Sequence, residues 1–340
     1  MIPRATGTLS LWGLSLCVAC PQAATGPTQA VVALDGSGNF KTVQAAIDAA
    51  PPEGSVIRIK PGTYREIVLV SKAHISLLGL GSDPAQVVLT FDLNNGAVGS
   101  TFKSASTTVI GDDFHAENLT FENSYNRNSN LKKEGSQAVA LRVTGDRAVF
   151  RKVRFLGHQD TLYASSKGCE SEQGPCHPAR QYFADCYIAG DVDFIFGDAL
   201  AFFENCEIHA LAHPVVMLTA QSKHNSEEQS GFVFNHCRLT ADTGAGKVYL
   251  GRPWRAYSTV VFLNTYMGSE IDPTGWLEWL HEDKPCLQTA FYAEYNSSGP
   301  GANPAGREQY AKQLTTAQAA NFAVNLFLAG DDHWDPTLEP

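Results

Sequence analysis

One six-residue template recurs four times in the chain: FRKVRF (150–155), FADCYI (183–188), FENCEI (203–208) and FNHCRL (234–239). Each copy begins with phenylalanine, has a small or apolar residue three positions on, and an aliphatic or aromatic residue two positions later. The copies start 33, 20 and 31 residues apart. This spacing indicates coils of about twenty residues with insertions and predicts an all-β, single-stranded, right-handed parallel β-helix. A sandwich whose apolar strands share the template by coincidence is the alternative.

The rest of the chain agrees with a β protein flanked by two helical segments. Short β-branched runs, separated by Gly, Pro, Asn or Asp, lie at 56–59, 67–70, 74–78 and 87–90. Before them, Thr42 is a suitable N-cap for a short N-terminal helix that Pro51 would stop. The Ala-rich stretch 314–328 predicts a C-terminal helical segment that packs on the solenoid or caps it.

Composition and charge narrow the functional classes. The 340 residues are 44% hydrophobic and 18% charged, which excludes a disordered chain. The 25 Lys and Arg against 35 Asp and Glu give a net charge of −10 without a run of like charges. We therefore expect no nucleic-acid partner and no membrane partner.

The N-terminus resembles a targeting segment. Arg4 supplies a positive charge, residues 9–19 are apolar, and 22–24 are suited to cleavage. We expect a signal peptide at 1–24 and one β-helix domain at 25–340, secreted to the extracellular space. A buried N-terminal helix, or a bacterial lipoprotein or periplasmic protein with a signal ending at Cys17 or Cys20, are the alternatives.

Six cysteines lie outside this segment and suggest disulfides. They form no CxxC pair or His/Cys cluster with zinc spacing, so we predict no metal site. Cys186 and Cys206 occupy equivalent template positions. Adjacent strands lie about 4.8 Å apart, within the Cα separation that a disulfide permits. The stacking therefore predicts a Cys186–Cys206 disulfide, and a second pairing, Cys169–Cys176, would close an inserted loop.

A set of polar residues is embedded in apolar β segments: Gln137, Gln159, Asp160, Asp193 and Arg252. The glutamines could face solvent, Asp160 could belong to an ordinary turn, and Arg252 could form a structural salt bridge with Asp193. In a β-helix, however, residues on consecutive coils lie about 5 Å apart, so one face can gather them.

Gathered on one face, these groups provide the parts for acyl transfer. An arginine keeps one carboxylate anionic, and the neighbouring carboxylate then holds a proton more readily. Two glutamine amides offer donors for an oxyanion. No GxSxG serine and no phosphate-binding glycine loop is present. A carboxylate nucleophile is therefore the chemistry that the residues suggest.

Seven stretches, spread over most of the chain, resemble the pectin methylesterase (pectinesterase) family of carbohydrate esterases: VVALDGSGNFKTVQ (31–44), GTYRE (62–66), QAVAL (137–141), QDTL (159–162), DFIFG (193–197), LGRPW (250–254) and FYAEYNSSGPGAN (291–303). The resemblance implies a pectin-lyase-like β-helix fold. It also implies hydrolysis of C6 methyl esters of polygalacturonate to pectate and methanol, without a metal or organic cofactor.

The resemblance also implies a role for each matching residue. Asp193 would be the nucleophile, and Asp160 the general acid and then the base. Gln137 and Gln159 would stabilise the oxyanion, and Arg252 would hold Asp193 ionised and oriented. Four aromatic residues would bind sugar rings or line the cleft, with core packing as their alternative role: Trp254, Trp276, Tyr163 and Phe196.

The expected partner is methyl-esterified pectin, bound by a monomer. The segment 164–180 is longer than the turn common in the family, and we expect it to rim the cleft because it follows Asp160 closely. Three other functions remain open: a relative acting on another ester or thioester, a lyase or glycosidase on this fold, and a non-catalytic polysaccharide-binding β-helix.

Overall fold

The computed structural model describes residues 1–3, 28–125, 135–168, 177–281 and 284–338. Most of the predicted signal peptide and the predicted Cys169–Cys176 pairing fall outside these residues. The described chain is built from strands with few helical residues, and none of its helices has the length and apolarity that a membrane crossing requires.

The described residues form 29 short strands, which in chain order are β1 (Thr28–Val32), β2 (Ser55–Ile59), β3 (Gly62–Arg65), β4 (Val68–Val70), β5 (Ile75–Gly79), β6 (Val87–Phe91), β7 (Thr107–Val109), β8 (His115–Glu117), β9 (Thr120–Asn123), β10 (Leu141–Val143), β11 (Ala148–Arg151), β12 (Arg154–Leu156), β13 (Leu162–Ala164), β14 (Arg180–Ala184), β15 (Tyr187–Gly190), β16 (Ile195–Gly197), β17 (Leu200–Glu204), β18 (Glu207–Ala210), β19 (Val215–Met217), β20 (Thr219–Gln221), β21 (Gly231–Asn235), β22 (Arg238–Ala241), β23 (Lys247–Tyr249), β24 (Thr259–Leu263), β25 (Tyr266–Met267), β26 (Leu280–His281), β27 (Lys284–Pro285), β28 (Phe291–Tyr295) and β29 (Lys312–Gln313). Four strand segments predicted from the β-branched runs are confirmed as β2, β4, β5 and β6.

The strands stack into three long parallel sheets. Sheet 1 has the order β1-β2-β5-β8-β11-β14-β17-β21-β24-β28-β29, sheet 2 the order β3-β6-β9-β12-β15-β18-β22-β25, and sheet 3 the order β4-β7-β10-β13-β16-β20. Six successive coils, from β2 to β20, pass from sheet 1 to sheet 2 to sheet 3, and each returns one strand further along. Two small sheets, β19-β23 and β26-β27, complete the described set. The predicted right-handed parallel β-helix is confirmed.

The recurring phenylalanine sets the register of sheet 1. Phe150 pairs with Phe183, Phe183 with Phe203, and Phe203 with Phe234 on successive strands. Their fully buried rings stack at centroid distances of 4.7, 4.6 and 4.4 Å. Phe262 extends the stack by a further 4.7 Å. Offset aromatic stacking adds to the apolar burial, so a slip of one residue would lose the whole ladder.

The helices are short, and both predicted helical segments are present. The α-helices are α1 (Val43–Ala49), α2 (Asn95–Val98), α3 (Thr316–Ala319) and α4 (Val324–Phe327), and the 3₁₀ helices are Pro84–Gln86, Phe102–Ser104, Pro304–Gly306 and Ala320–Phe322. Thr42 caps α1 as predicted, accepting a hydrogen bond from Ala45 N at 3.3 Å. The predicted C-terminal helical segment at 314–328 is confirmed as three short helical turns, which the extended backbone of Ala323 divides. Its turns pack along the outer face of sheet 1, against residues such as Phe202.

The cysteines stack as predicted but do not bond. Cys186 and Cys206 immediately precede the paired strands β15 and β18, and both are free thiols. The predicted Cys186–Cys206 disulfide is therefore wrong. In-register stacking holds neighbouring side chains about 4.8 Å apart and parallel, whereas a disulfide draws its Cβ atoms to about 3.8 Å. The thiols donate instead to the carbonyl oxygens of Phe150 (3.6 Å) and Phe183 (3.4 Å).

Candidate active site

Asp160 and Asp193 occupy the same position on consecutive coils, at the corner from sheet 2 to sheet 3. Each precedes its strand by two residues, and the strands pair with Leu162 opposite Ile195. The backbone N–H of Asp160 donates to Val192 O at 3.0 Å. Both aspartates have left-handed backbones, with φ of 64° and 53°. Such conformations are uncommon for residues other than glycine, and they turn both carboxylates out of the strands into one cleft.

Gln137 and Gln159 line the same cleft and have fixed amide orientations. The Oε1 atom of Gln137 accepts a hydrogen bond from Asn95 Nδ2 at 3.2 Å. The Oε1 atom of Gln159 accepts one from Ser136 Oγ at 2.7 Å. Because a carboxamide has its donor and acceptor on opposite sides, these bonds turn the two NH₂ groups toward the cleft as donors.

Arg252 anchors Asp193 through a bidentate ion pair. Its Nε and Nη2 atoms donate to Oδ1 and Oδ2 of Asp193 at 2.8 and 2.6 Å. The Asp193 side chain is only 8% exposed. Burial raises the pKa of Asp193, a rise that Arg252 opposes and the charge of Asp191 increases. This pair of hydrogen bonds from Arg252, called the arginine fork below, thus favours the anionic form of Asp193, which burial alone would disfavour.

Aromatic rings form the walls of the cleft, which has a volume of about 590 Å³. Trp279 lies under the guanidinium of Arg252, with 4.0 Å from Cζ to the ring centroid, and so fixes its plane. Phe196 and Trp254 lie 6.1 Å apart, centroid to centroid. The other lining residues are Asn95, Gly99, Ser100, Thr101, Phe102 and Ala220.

Two of the predicted aromatic residues lie elsewhere. Trp276 is 3% exposed, and its ring stacks on the buried Tyr292 at 4.0 Å. Its predicted contact with sugar is therefore wrong, and Trp279, three residues later, is the ring at the cleft. Tyr163 is also buried and does not line the cleft as predicted. It packs 4.7 Å from Phe196, between centroids, and supports that ring from beneath.

Sequence reasoning missed the wall formed by 95–102. Asn95 belongs to α2 and Phe102 to a 3₁₀ helix, and both lie in an irregular connection between β6 and β7. No hydrophobic period marks this connection. The only sequence signal for Trp279 was its position three residues after Trp276, and this spacing does not indicate which of the two rings is buried.

The described ends of the segment 164–180 lie away from the cleft. They follow β13, at the opposite end of that strand from Asp160. Lys167 donates to Asp112 Oδ1 at 2.6 Å, and neither end contributes a lining residue. The expectation that this segment rims the cleft is not met by its described part; residues 169–176 lie outside the described residues.

Within the described ranges, one group of three side chains has the proximity needed to hold a metal ion: Asp198, His224 and Glu228. None of the three lines the cleft, so the cleft chemistry rests on carboxylates, amides and a guanidinium.

Comparisons with known proteins identify the family of the chain. The model of the Pectinesterase family matches residues 29–331. "Probable pectinesterase/pectinesterase inhibitor 17" from Arabidopsis thaliana is 39% identical over 331 residues, covering 94% of this chain; the chain spans 60% of that relative's length.

Solved structures of similar proteins cover nearly the whole chain. The pectin methylesterase from carrot is 35% identical with a TM-score of 0.79, covering 92% of this chain and 96% of its own. A pectin methylesterase in complex with a hexasaccharide is 32% identical with a TM-score of 0.76, covering 91% and 98%. With the family match extending over most of its length, the chain belongs to the pectinesterase family.

Proposed function

We propose that this protein hydrolyses the C6 methyl esters of polygalacturonate, releasing pectate and methanol. One observation carries the proposal: two aspartates stack on consecutive coils, and one of them is held by an arginine fork beside two amide donors. A non-catalytic polysaccharide-binding β-helix has no need of a buried carboxylate in a left-handed backbone at its binding surface.

Pectin is the proposed substrate for two reasons. The relatives carry the names pectinesterase and pectin methylesterase, and one of the solved neighbours holds a hexasaccharide. In addition, the rings of Phe196, Trp254 and Trp279 line the cleft together with polar groups, a combination that suits sugar rings. A small-ester substrate would not require this aromatic wall.

In the first half of the reaction, an Asp193 oxygen attacks the C6 carbonyl carbon and the carbonyl becomes an oxyanion. The amide N–H groups of Gln137 and Gln159 stabilise that oxyanion. The intermediate collapses by breaking the bond to the methoxy oxygen, which takes a proton from Asp160 and leaves as methanol. The substrate acyl group is then joined to Asp193 as an anhydride.

In the second half, Asp160 is a carboxylate and acts as a base. It removes a proton from a water molecule, whose oxygen attacks the C6 carbon of the anhydride. The bond to Asp193 breaks and the electron pair returns to its carboxylate. The C6 carboxyl group is released and loses its remaining proton to solvent, and Asp160 is protonated again. Arg252 keeps Asp193 anionic in both the resting and the product state, because its fork matches the two carboxylate oxygens.

We also propose that the protein acts outside the cell as a monomer. Residues 1–24 have the composition of a signal peptide, and the proposed substrate is a cell-wall polymer. Size-exclusion chromatography with light scattering, together with N-terminal sequencing of the secreted protein, tests both points.

The test of the proposed function measures methanol release from methyl-esterified pectin alongside the length of the polymer. We expect methanol without shortening, and no methanol from Asp193→Asn. Asp185→Asn is the matched control, since Asp185 is also a left-handed aspartate (φ of 54°) but does not line the cleft. Shortened chains without methanol would instead indicate a lyase or glycosidase, and full activity in folded Asp193→Asn would overturn the proposal.

A further inference from the structure

Asp198 lies outside the cleft, at the opposite end of β16 from Asp193. It is 1% exposed. Its Oδ1 atom accepts hydrogen bonds from Ser165 Oγ and from Ser166 N, the latter at 2.8 Å. Its Oδ2 atom is buried and has no hydrogen-bond partner among the described residues. A buried carboxylate oxygen without a partner is costly, so something of opposite charge is expected there.

Gly197 brings Asp198 to this position. Its φ is 117°, in the region that favours glycine, and a Cβ atom there would lie 2.1 Å from the Ala164 carbonyl oxygen. Only glycine permits this close approach of β16 to the end of β13, which places the Asp198 carboxylate against Ser165.

A loop after β20 brings two more ligand atoms to the same place. His224 Nδ1 and Glu228 Oε1 are also buried and have no hydrogen bond among the described residues, although Nδ1 lies 3.4 Å from Glu228 Oε2. Ligand atoms of Asp198, His224 and Glu228 all lie within 4.8 Å of one another. The loop is held in shape by His224 N, which donates to Glu228 Oε2 at 2.6 Å. Two carboxylate oxygens and one imidazole nitrogen, none of which has a hydrogen bond among the described residues, therefore lie close together and buried.

We propose that Asp198, His224 and Glu228 form a binding site for a divalent transition-metal ion of the zinc class. Two carboxylates and a neutral imidazole carry two negative charges, which one such ion neutralises. The imidazole selects against Ca²⁺ and Mg²⁺, which take oxygen ligands. Zinc commonly binds three ligands of this kind and keeps a fourth position for water.

The proposed ion would fix the loop that supports one wall of the cleft. Trp254 N donates to Gln221 O at 3.1 Å, and Tyr257 N donates to Lys223 O at 3.2 Å. Residues 221–228 thus connect the three ligands to the segment carrying Trp254. The role is structural, since none of the three ligands lines the cleft. The proposed site departs from the sequence-based prediction of no metal site. That prediction rested on closely spaced ligands, whereas Asp198 and His224 are 26 positions apart in the chain.

The experiment titrates Zn²⁺ into untagged, EDTA-dialysed protein by calorimetry, with zinc content measured after gel filtration. We expect one equivalent of tightly bound zinc in the wild type. In His224→Gln and Glu228→Gln the affinity for zinc should be lower by about 100-fold or more. These loop variants are preferred because Asp198→Asn alters a fully buried group. Thermal unfolding provides a second readout: zinc should raise the melting temperature of the wild type but not of either variant.

Glu227→Gln is the matched control, because Glu227 is an exposed carboxylate in the same loop and is not one of the three ligands. It should bind zinc like the wild type. Substoichiometric zinc in the wild type, or unchanged affinity in Glu228→Gln, would overturn the site. No heat of binding would mean that Asp198 and Glu228 share a proton instead, which also overturns it. None of these outcomes depends on esterase activity.

Discussion

Two corners of the β-helix share one backbone conformation, but the side chains at the two corners have different roles. At the corner from sheet 1 to sheet 2, seven successive coils place a residue in the left-handed region: Asn118, Lys152, Asp185, Asn205, His236, Asn264 and Asn296. At the corner from sheet 2 to sheet 3, Asp160 and Asp193 have the same conformation. The first corner is called the asparagine corner below, and the second the aspartate corner.

The neighbours of each corner decide what it does. In the asparagine corner, side chains bond along the stack; Asn296 Nδ2 donates to Asn264 Oδ1 at 3.0 Å, for example. In the aspartate corner, Asp193 bonds instead to Arg252, which comes from a different coil and carries a charge. The left-handed turn therefore provides only the direction of the side chain. A cation, two amides and an aromatic wall convert one corner into a candidate catalytic site.

After the complete loss expected for Asp193→Asn, the largest effect is expected at Asp160. Asp160→Asn keeps the shape of the aspartate corner but removes the proton donor, so methanol release from pectin should fall about 10²–10⁴-fold. Stopped-flow or coupled methanol assays measure the loss. Equal losses from Asp185→Asn in the asparagine corner would mean that the turn, rather than its position at the cleft, matters for activity.

Removing the cation should have the next largest effect. Arg252→Met deletes two charged hydrogen bonds to Asp193, and the rate should fall about 10²–10³-fold. Asp193 must be anionic to attack, so activity is lost as pH falls through its pKa, which burial already raises. Without Arg252 the pKa rises further, and the acidic limb of the kcat/KM profile should move to higher pH. An unmoved limb in the folded variant would contradict the role given to the fork.

The two neighbouring tryptophans should separate binding from folding. Trp279→Phe weakens the contact with Arg252 and should lower kcat/KM roughly 2- to 30-fold at little cost in stability. Trp276→Phe should leave kcat/KM nearly unchanged and lower the free energy of unfolding by roughly 1–3 kcal/mol, because Trp276 fills the core. Urea unfolding and steady-state kinetics on both variants check this. A loss of kcat/KM in Trp276→Phe together with a loss of stability in Trp279→Phe would instead indicate that Trp276 contacts the substrate.

The smallest effect on activity belongs to the asparagine corner. Asn264→Ala places a Cβ in the left-handed region without the local hydrogen bonds, and should lower the free energy of unfolding by about 1–2 kcal/mol. Asn264→Gly should cost less, because glycine adopts this backbone freely. Both variants should release methanol at the wild-type rate. If urea titrations gave Asn264→Gly a lower free energy of unfolding than Asn264→Ala, backbone strain would not explain the effect of substitutions at this corner.

The sequence predicted what depends on periodic apolar residues. The phenylalanine template predicted the coil, and the coil predicted that Gln137, Gln159, Asp160 and Asp193 would meet, because a fixed register carries each residue to the same corner. Whatever depends on side-chain direction could not be predicted. Parallel stacking kept Cys186 and Cys206 apart as thiols, and nothing in the sequence distinguished the buried Trp276 from Trp279.

Irregular segments and contacts between distant parts of the chain also could not be predicted from the sequence. The wall at 95–102 has no period, so no pattern placed Asn95 behind Gln137. The Ala-rich C-terminal stretch predicted a helical segment, but not its division into short turns that follow the outer face of sheet 1. Asp198 and Glu228 are 30 positions apart in the chain, and only the folded structure brings their ligand atoms within 4.8 Å of each other.

The central claim is that Asp193, and not a water molecule activated by it, attacks the ester carbon. Asp160→Asn mixed with a nitrophenyl ester of an oligogalacturonide tests this most directly. The activated leaving group needs little protonation, while hydrolysis of the anhydride lacks its base. We expect a burst of one nitrophenol per enzyme and an added acyl mass on the peptide that contains Asp193. Steady release without a burst, with that peptide unmodified, would contradict it.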